Sequence, residues 1–242
     1  MKIVFLGLND TGEKVLDYLK GLNQDEIHLL TQKNEIERIL KMQPDIILSV
    51  GFRHIIPQEI LNLPPLGAIN FHKSLLPLNR GANPVFWTIL EGTQAGVSIH
   101  FMDQGIDTGP IIAQAEIEPE FSDNAKTLYG KLDSLQIKLF KEHWPKIRNG
   151  SIKSTPQTKI KSYHQIEDLK RMRKIDLLSK TRISDFINFL RAMTFPPFQN
   201  AYVEQNGKKY FVEIKITPED QIENEGKLSS SHLKQYRIKD ED

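Results

Sequence analysis

The first hundred residues alternate between short apolar runs and amphipathic segments. Residues 2–6 and 45–50 are nearly continuous apolar runs, as expected for parallel strands covered on both faces. Residues 27–30 form a third, shorter strand candidate. Residues 11–20 carry apolar side chains at helical spacing, which predicts a helix that ends near Gly21. The pattern predicts an open, mostly parallel, Rossmann-like α/β sheet.

Further along the chain, the pattern predicts the rest of a catalytic domain. Asn83 and Pro84 are typical of a helix start, and residues 97–102 and 111–117 are strand candidates. A long helix with a leucine stripe follows, for which we expect Ser122 or Asp123 as the cap. The stretch from Pro145 to Pro156 has the character of a domain exit. We therefore divide the chain into a catalytic domain, residues 1–155, and an extension, residues 156–242.

The extension predicts a helix followed by a β-hairpin. Residues 183–193 have helical spacing with a cap near Ser184, and residues 201–205 and 208–216 are strands joined by an Asn206-Gly207 turn. Residues 159–182 hold eight Lys or Arg against three acids, which favours a solvated face over a phosphate contact. The last stretch is polar and charged, so we expect it to be poorly ordered.

Composition excludes several classes of protein. The formal net charge of +1 over 242 residues gives no global field for binding nucleic acid or a membrane. The absence of cysteine excludes disulfides and thiolate metal sites. The chain begins with a strand-like run rather than a signal peptide, and no apolar stretch reaches membrane-spanning length, so we expect a cytoplasmic protein. The glycine fingerprint of NAD-binding proteins is missing after the first strand, which weighs against an NAD-linked oxidoreductase.

Three polar residues are candidates for catalysis. Asn70 and His72 lie two residues apart on an apolar, strand-like run, so their side chains point the same way. Asp107, in a Gly-flanked loop, is available to join them, and His100 would either line the site or be buried. Taken singly, each has a bland alternative, because a histidine near a strand end is often structural and Asp-Thr-Gly is an ordinary turn.

The joint pattern of motifs is more specific. It consists of Asn70-Phe71-His72, the run Ser74-Leu75-Leu76-Pro77, Arg80-Gly81, the strand Val97-Ser98-Ile99-His100 and the loop Asp107-Thr108-Gly109-Pro110-Ile111-Ile112. In this order, the motifs resemble the formyltransferases that use 10-formyltetrahydrofolate. The resemblance implies the formyltransferase fold, here shortened by about a strand and a helix in its N-terminal half.

The resemblance also implies roles for particular residues. Asn70 would donate a hydrogen bond to the developing oxyanion, His72 would be the general acid–base, and Asp107 would orient it, without a metal. The loops around the pterin of 10-formyltetrahydrofolate would be formed by Phe52, Arg53, His54, Ile55, Ile56, Met102 and Asp103. Alternatively, Arg53 and His54 are solvated loop residues.

The amine acceptor is indicated by the extension. Residues 191–202 resemble a segment of methionyl-tRNA and nucleotide-sugar formyltransferases, yet only some 40 residues follow Tyr202, too few for the tRNA enzymes' additional domain. We therefore predict a dTDP-linked amino-dideoxyhexose used in surface polysaccharide synthesis, with tRNA or glycinamide ribonucleotide as alternative acceptors and an inactive binding protein as a further alternative. The hairpin predicts a homodimer. The candidate substrate-binding residues are Asn9, Lys73, Arg80, Gly81, Phe195 and Tyr202.

Overall fold

The computed structural model describes residues 1–157 and 162–222. Its strands are β1 (Lys2–Leu6), β2 (Glu26–Leu30), β3 (Ile46–Ser49), β4 (Ala68–His72), β5 (Arg80–Gly81), β6 (Ala95–Phe101), β7 (Ile111–Ile117), β8 (Tyr163–His164), β9 (Tyr202–Gln205) and β10 (Lys208–Phe211). The central sheet has six strands in the order β2-β1-β3-β4-β6-β7. The first four run parallel, and β6 and β7 pair antiparallel, which confirms the predicted open, mostly parallel sheet.

The helices are α1 (Asp10–Leu22), α2 (Ile39–Met42), α3 (Gln58–Leu61), α4 (Pro84–Glu91), α5 (Ala125–Arg148), α6 (Ile166–Met172) and α7 (Ile183–Met193), with 3-10 turns at Lys33–Arg38 and Glu219–Gln221. No helix within residues 1–157 and 162–222 combines the length and the apolar character needed to cross a membrane.

Both faces of the central sheet are covered. Ile3 and Phe5 of β1 face a large core shared with α1, α4 and α5. Val4 and Leu6 face a smaller core that includes α2 and α3. This two-sided burial is the reason why β1 and β3 are apolar at nearly every position.

The predicted helix caps are partly wrong. Asn124, rather than Ser122 or Asp123, caps α5, because its Oδ1 accepts hydrogen bonds from the amides of Lys126 and Thr127, each at 3.0 Å. Asn83 does precede α4, but it has φ +56° and its side chain makes no capping hydrogen bond. The α7 span is as predicted, although Arg182 rather than Ser184 precedes it.

The extension contains the predicted hairpin. The Asn206-Gly207 turn joins β9 and β10, with left-handed φ values of +51° and +72°. The second strand ends at Phe211 rather than at residue 216, since Val212 and Ile214 leave it to pack against the main core. The basic stretch is described only in part, and the predicted polar tail lies beyond residue 222, outside the described residues.

Candidate active site

The strand register of β4 and β6 places the catalytic candidates. Asn70 lies opposite His100, and His72 lies opposite Ser98. The connection between β6 and β7 then returns Asp107 to the same end of β4, where its carboxylate meets both side chains. The structure thus brings Asn70, His72 and Asp107 together, as their spacing predicts.

The Asp107 carboxylate is the centre of this cluster. Its Oδ1 accepts a hydrogen bond from Nδ2 of Asn70 at 3.2 Å and lies 3.4 Å from Nε2 of His100. Its Oδ2 accepts from the amide of Gly81 at 2.9 Å and lies 3.5 Å from Nδ1 of His72. Asp107 has φ +53°, a left-handed conformation that is unusual for a residue with a side chain.

Burial and charge set the protonation of this cluster. Burial raises the pKa of Asp107, but the neighbouring imidazoles of His72 and His100 and the Gly81 amide outweigh it and hold the pKa well below the usual carboxyl range. Burial lowers the pKa of His72, only partly opposed by the Asp107 charge and by the hydrogen bond to the carbonyl of Asn79 at 2.8 Å. At neutral pH, His72 is therefore uncharged beside an ionised Asp107.

The amide of Asn70 is oriented by two acceptors. Nδ1 of His100 donates to the carbonyl of Phe101 at 2.7 Å, which leaves Nε2 to face Asn70 and Asp107. Nδ2 of Asn70 lies 3.2 Å from that Nε2, and its second hydrogen bonds Asp107. Oδ1 of Asn70 accepts no hydrogen bond from the residues that the structure describes.

The loops expected to bind folate form an apolar wall with a polar margin. Phe52 and Met102 pack against the smaller core, beside buried Ile56. Ile55 is 81% exposed, and Arg53 and His54 are also exposed. The carboxylate of Asp103 accepts hydrogen bonds from Gly105 and Thr108 within its own loop. Apolar side chains beside free loop backbone suit a flat heterocycle such as a pterin.

Lys73 lies in a closed network and not at an open surface. Its ammonium lies 3.0 Å from the Asp133 carboxylate and donates to the Thr11 hydroxyl at 3.2 Å, while that hydroxyl also donates to Asp133. All three residues are buried. The predicted substrate contact by Lys73 is therefore not supported by this geometry, which favours a structural ion pair.

Asn9 and Phe195 meet around a residue that the sequence did not single out, Tyr129 of α5. Nδ2 of Asn9 lies 3.4 Å from the Tyr129 hydroxyl, and Phe195 packs edge-to-face on its ring at 5.4 Å between centroids. The Lys73 ammonium sits 4.3 Å from the same ring centroid. Oδ1 of Asn9 also caps α1 through the Gly12 amide at 2.8 Å, so the proximity of Asn9 to Phe195 has a structural cause as well.

The other substrate-binding candidates lie elsewhere. Arg80 is buried and donates through Nε to the carbonyl of Ser162 at 3.4 Å. Gly81 acts through its backbone amide on Asp107. Tyr202 lies in the hairpin, where its ring contacts the ring of Phe211 and the ammonium of Lys209, and its described contacts do not include the Asp107 cluster.

Two contributors could not be recognised from the sequence. Tyr129 lies off the leucine stripe of α5, and Gln157 directly follows the predicted domain exit, in a stretch without periodicity. Nε2 of Gln157 donates to the carbonyls of Asp107 and Gly109 at 3.0 and 2.8 Å. These contacts depend on tertiary structure, for which the local sequence carries no signal.

Comparison with known proteins gives matches over both parts of the chain. Residues 20–143 match the family model described as Formyl transferase, and residues 168–218 match the N-formyltransferase dimerization C-terminal domain.

Two relatives illustrate the similarity in sequence. The dTDP-4-amino-4,6-dideoxyglucose formyltransferase of Mycobacterium tuberculosis is 32% identical, over 74% of this chain and 76% of its own. The methionyl-tRNA formyltransferase of Bacillus subtilis is 35% identical, over 72% of this chain and 54% of its own.

A solved structure extends the comparison. The formyltransferase PseJ of Anoxybacillus kamchatkensis, crystallised with UDP-4,6-dideoxy-4-formamido-L-AltNAc and tetrahydrofolate, is 38% identical with a TM-score of 0.66, over 71% of this chain and 89% of that one. With a family model covering residues 20–143 and an Asn–His–Asp cluster in place, the chain belongs to the formyl transferase family.

Proposed function

We propose that this protein transfers a formyl group from 10-formyltetrahydrofolate to the amine of a nucleotide-linked amino sugar. The observation that carries the chemistry is the convergence of Asn70, His72 and ionised Asp107 at the end of β4. The formyl donor supplies an electrophilic carbonyl carbon, and the chain must accept a proton from the attacking amine and stabilise charge on the carbonyl oxygen.

His72 has the properties of the proton acceptor. Burial keeps its imidazole neutral at physiological pH, so it can take the proton that the amine loses. The Asp107 carboxylate lies 3.5 Å from Nδ1, where it stabilises the imidazolium that forms. His72 can then return the proton to the folate nitrogen as the carbon–nitrogen bond of the donor breaks.

Asn70 can stabilise the carbonyl oxygen of the formyl group by exchanging its hydrogen bond to His100 for one to that oxygen. Its bond to the neutral Nε2 of His100 has a net value of about 1 kcal/mol, whereas hydrogen bonds to charged acceptors are roughly twice as strong. The hydrogen directed at His100 is therefore the one released when negative charge develops on the formyl oxygen. The hydrogen bond from Asn70 to Asp107 stays in place and keeps the amide oriented.

The loops at the same end of the sheet fit the donor. Phe52, Ile56 and Met102 give an apolar wall, and Ile55 projects beside it. Binding of the heterocycle there brings its formyl group to the carboxyl ends of β3 and β4, where open α/β sheets place ligands.

Comparison with the two relatives favours a sugar acceptor over tRNA. The alignment spans 76% of the mycobacterial sugar enzyme but only 54% of the tRNA enzyme at comparable identity. The formal net charge of +1 gives no global field that would favour a polynucleotide. A dTDP-linked amino-dideoxyhexose, as in the mycobacterial enzyme, is the acceptor that we expect, in surface polysaccharide synthesis and in the cytoplasm.

The extension is expected to form a homodimer. It matches a dimerization domain, and it exposes apolar side chains on Leu177, Leu178, Ile183, Tyr210 and Phe211. A two-stranded hairpin is marginal alone in water, and an isologous contact covers both copies at once. We keep the division at residue 155 as a proposal for the domain organisation.

A turnover assay with defined acceptors tests the function. Purified protein is supplied with 10-formyltetrahydrofolate and, separately, a dTDP-amino-dideoxyhexose, its UDP counterpart, glycinamide ribonucleotide and methionyl-tRNA. Formylated dTDP sugar is the expected product, with thermal protection by dTDP above that by UDP or GDP. Formylation of methionyl-tRNA alone would replace the sugar assignment, and absence of transfer to all four would refute it.

A further inference from the structure

Gln157 holds the backbone that follows the catalytic aspartate. One amide group, Nε2, donates to the carbonyl of Asp107 at 3.0 Å and to that of Gly109 at 2.8 Å. Both partners are acceptors only, so the nitrogen must face them and the assignment of the amide is not ambiguous. Gln157 thus uses both of its hydrogens on the turn that carries Asp107.

The turn needs such a restraint. Asp107 adopts φ +53°, a conformation that costs free energy for a residue with a side chain and persists only where its surroundings enforce it. Its carboxylate must also stay within reach of Asn70, His72 and the Gly81 amide at the same time. Two hydrogen bonds, to the carbonyls of Asp107 and Gly109, restrain the turn directly after the Asp107 side chain.

Gln157 itself is placed by a β-bridge. Thr155 and Ile111 exchange two backbone hydrogen bonds, each at 2.8 Å, at the first residue of β7. Gln157 follows this bridge two residues later. The restraint therefore starts from the central sheet and not from a free loop.

The arrangement has a cost that packing alone does not explain. Oε1 of Gln157 is buried and accepts no hydrogen bond from the residues that the structure describes. An orphaned buried acceptor is destabilising, so the two hydrogen bonds that Gln157 donates to the turn must offset a cost that an apolar side chain would not carry.

From these observations we infer that Gln157 is a positioning residue, which holds Asp107 in its reactive conformation and acts on catalysis only through it. The inference rests on the proposed function, since it assigns Gln157 a part in the same reaction.

Gln157→Met separates positioning from structure, because methionine keeps the length and removes both donors and the orphaned acceptor. We expect a melting temperature within about 3 °C of the wild type, with kcat reduced by about tenfold or more and KM values little changed. His72 is faced by Asp107, by His100 of β6 and by its neighbour Lys73. Displacement of Asp107 removes the one charge among these that raises the pKa of His72, so the NMR titration of its ring moves to lower pH.

Gln114→Met is the matched control. Nε2 of Gln114 donates to the carbonyl of Leu76 at 3.0 Å and to the Ser98 hydroxyl at 2.9 Å, without touching Asp107. This variant should keep kcat within about twofold of the wild type and leave the His72 titration unmoved.

Several outcomes decide the inference. Wild-type kcat and titration in Gln157→Met would overturn it, as would an equal loss in Gln114→Met. Gln157→Glu provides a second variant, and failure of both Gln157 variants to fold would make the residue structural and also overturn it. Wild-type protein in the same assay tests the proposed function separately, because its turnover does not depend on the Gln157 result.

Discussion

His72 and Lys73 are adjacent in sequence at the end of β4, and each belongs to a buried network of charged groups. The Lys73 network, with Asp133 and Thr11, is closed, because each member bonds the other two. The His72 network leaves one amide oxygen of Asn70 without a partner among the described residues, and its aspartate sits on a restrained turn. Burial and ion pairing thus do not distinguish a reactive cluster from a structural one. The two networks differ instead in that Oδ1 of Asn70 accepts no hydrogen bond from the described residues and Asp107 has a left-handed φ.

The largest expected effect concerns the His72 network. His72→Ala and Asp107→Asn should each lower kcat on the order of 10² or more, because they remove the proton acceptor or the charge that supports it. Steady-state kinetics with the sugar acceptor, alongside circular dichroism, measures this. A folded His72→Ala variant with unchanged kcat would remove His72 from the mechanism.

The closed network should respond in stability and not in rate. Lys73→Met leaves Asp133 buried without its cation, which should cost about 3 kcal/mol of unfolding free energy, while kcat per folded molecule stays near that of the wild type. Urea denaturation measures the change in the free energy of unfolding.

The matched control for Lys73 is a double variant. Lys73→Met with Asp133→Leu replaces the pair by apolar side chains and should recover much of the lost stability. If Lys73→Met instead raises KM for the nucleotide sugar at unchanged stability, Lys73 binds substrate and its ion pair with Asp133 is not a structural one.

The pH dependence sharpens the comparison further. Burial lowers the pKa of His72, so its neutral, active form persists to more acidic pH than that of a free imidazole. The acidic limb of kcat/KM should therefore lie below about pH 6.5, the ordinary histidine value. Because the pKa of His72 is lower in the folded state, the unfolded state binds more protons once the pH falls below about 6.5. The free energy of unfolding should therefore be higher above this pH and decrease as the pH falls below it. A limb above pH 6.5 would contradict the neutral His72.

The smallest effect concerns Asn9, which borders the closed network through Tyr129. Asn9→Ala should destabilise the protein by about 1 kcal/mol through loss of the α1 cap, and Asn9→Ser, which restores a capping oxygen, should recover most of it. Neither should change KM for the sugar. A raised KM in Asn9→Ser, with normal stability, would establish Asn9 as a substrate ligand.

The sequence was sufficient for the parts of the molecule that depend on local pattern. Period-two alternation places Asn70 and His72 on one face, and continuous apolar runs identify β1 and β3. The α7 helix and the hairpin turn follow from spacing and from Asn206-Gly207.

The remainder depends on contacts between distant segments. The sequence identifies Lys73 as a candidate substrate contact, but Asp133, sixty residues further on, supplies a buried partner. The role of Gln157 likewise follows from a bridge between Thr155 and β7. Neither partner can be identified from neighbouring residues, because the pairing is set by tertiary structure.

The antiparallel pairing of β4 and β6 makes the active-site geometry a matter of ladder register. Asn70 and His100 occupy one rung of this ladder, and the irregularity between Ile99 and His100 shifts the pairing toward β7. The number of residues that connect these strands does not enter the rung assignment. Segments outside these two strands can therefore be lengthened or exchanged, as in loop grafting, without altering the pairing of Asn70 with His100. A register shift of one residue between β4 and β6 would instead separate Asn70 from His100 and disrupt the site.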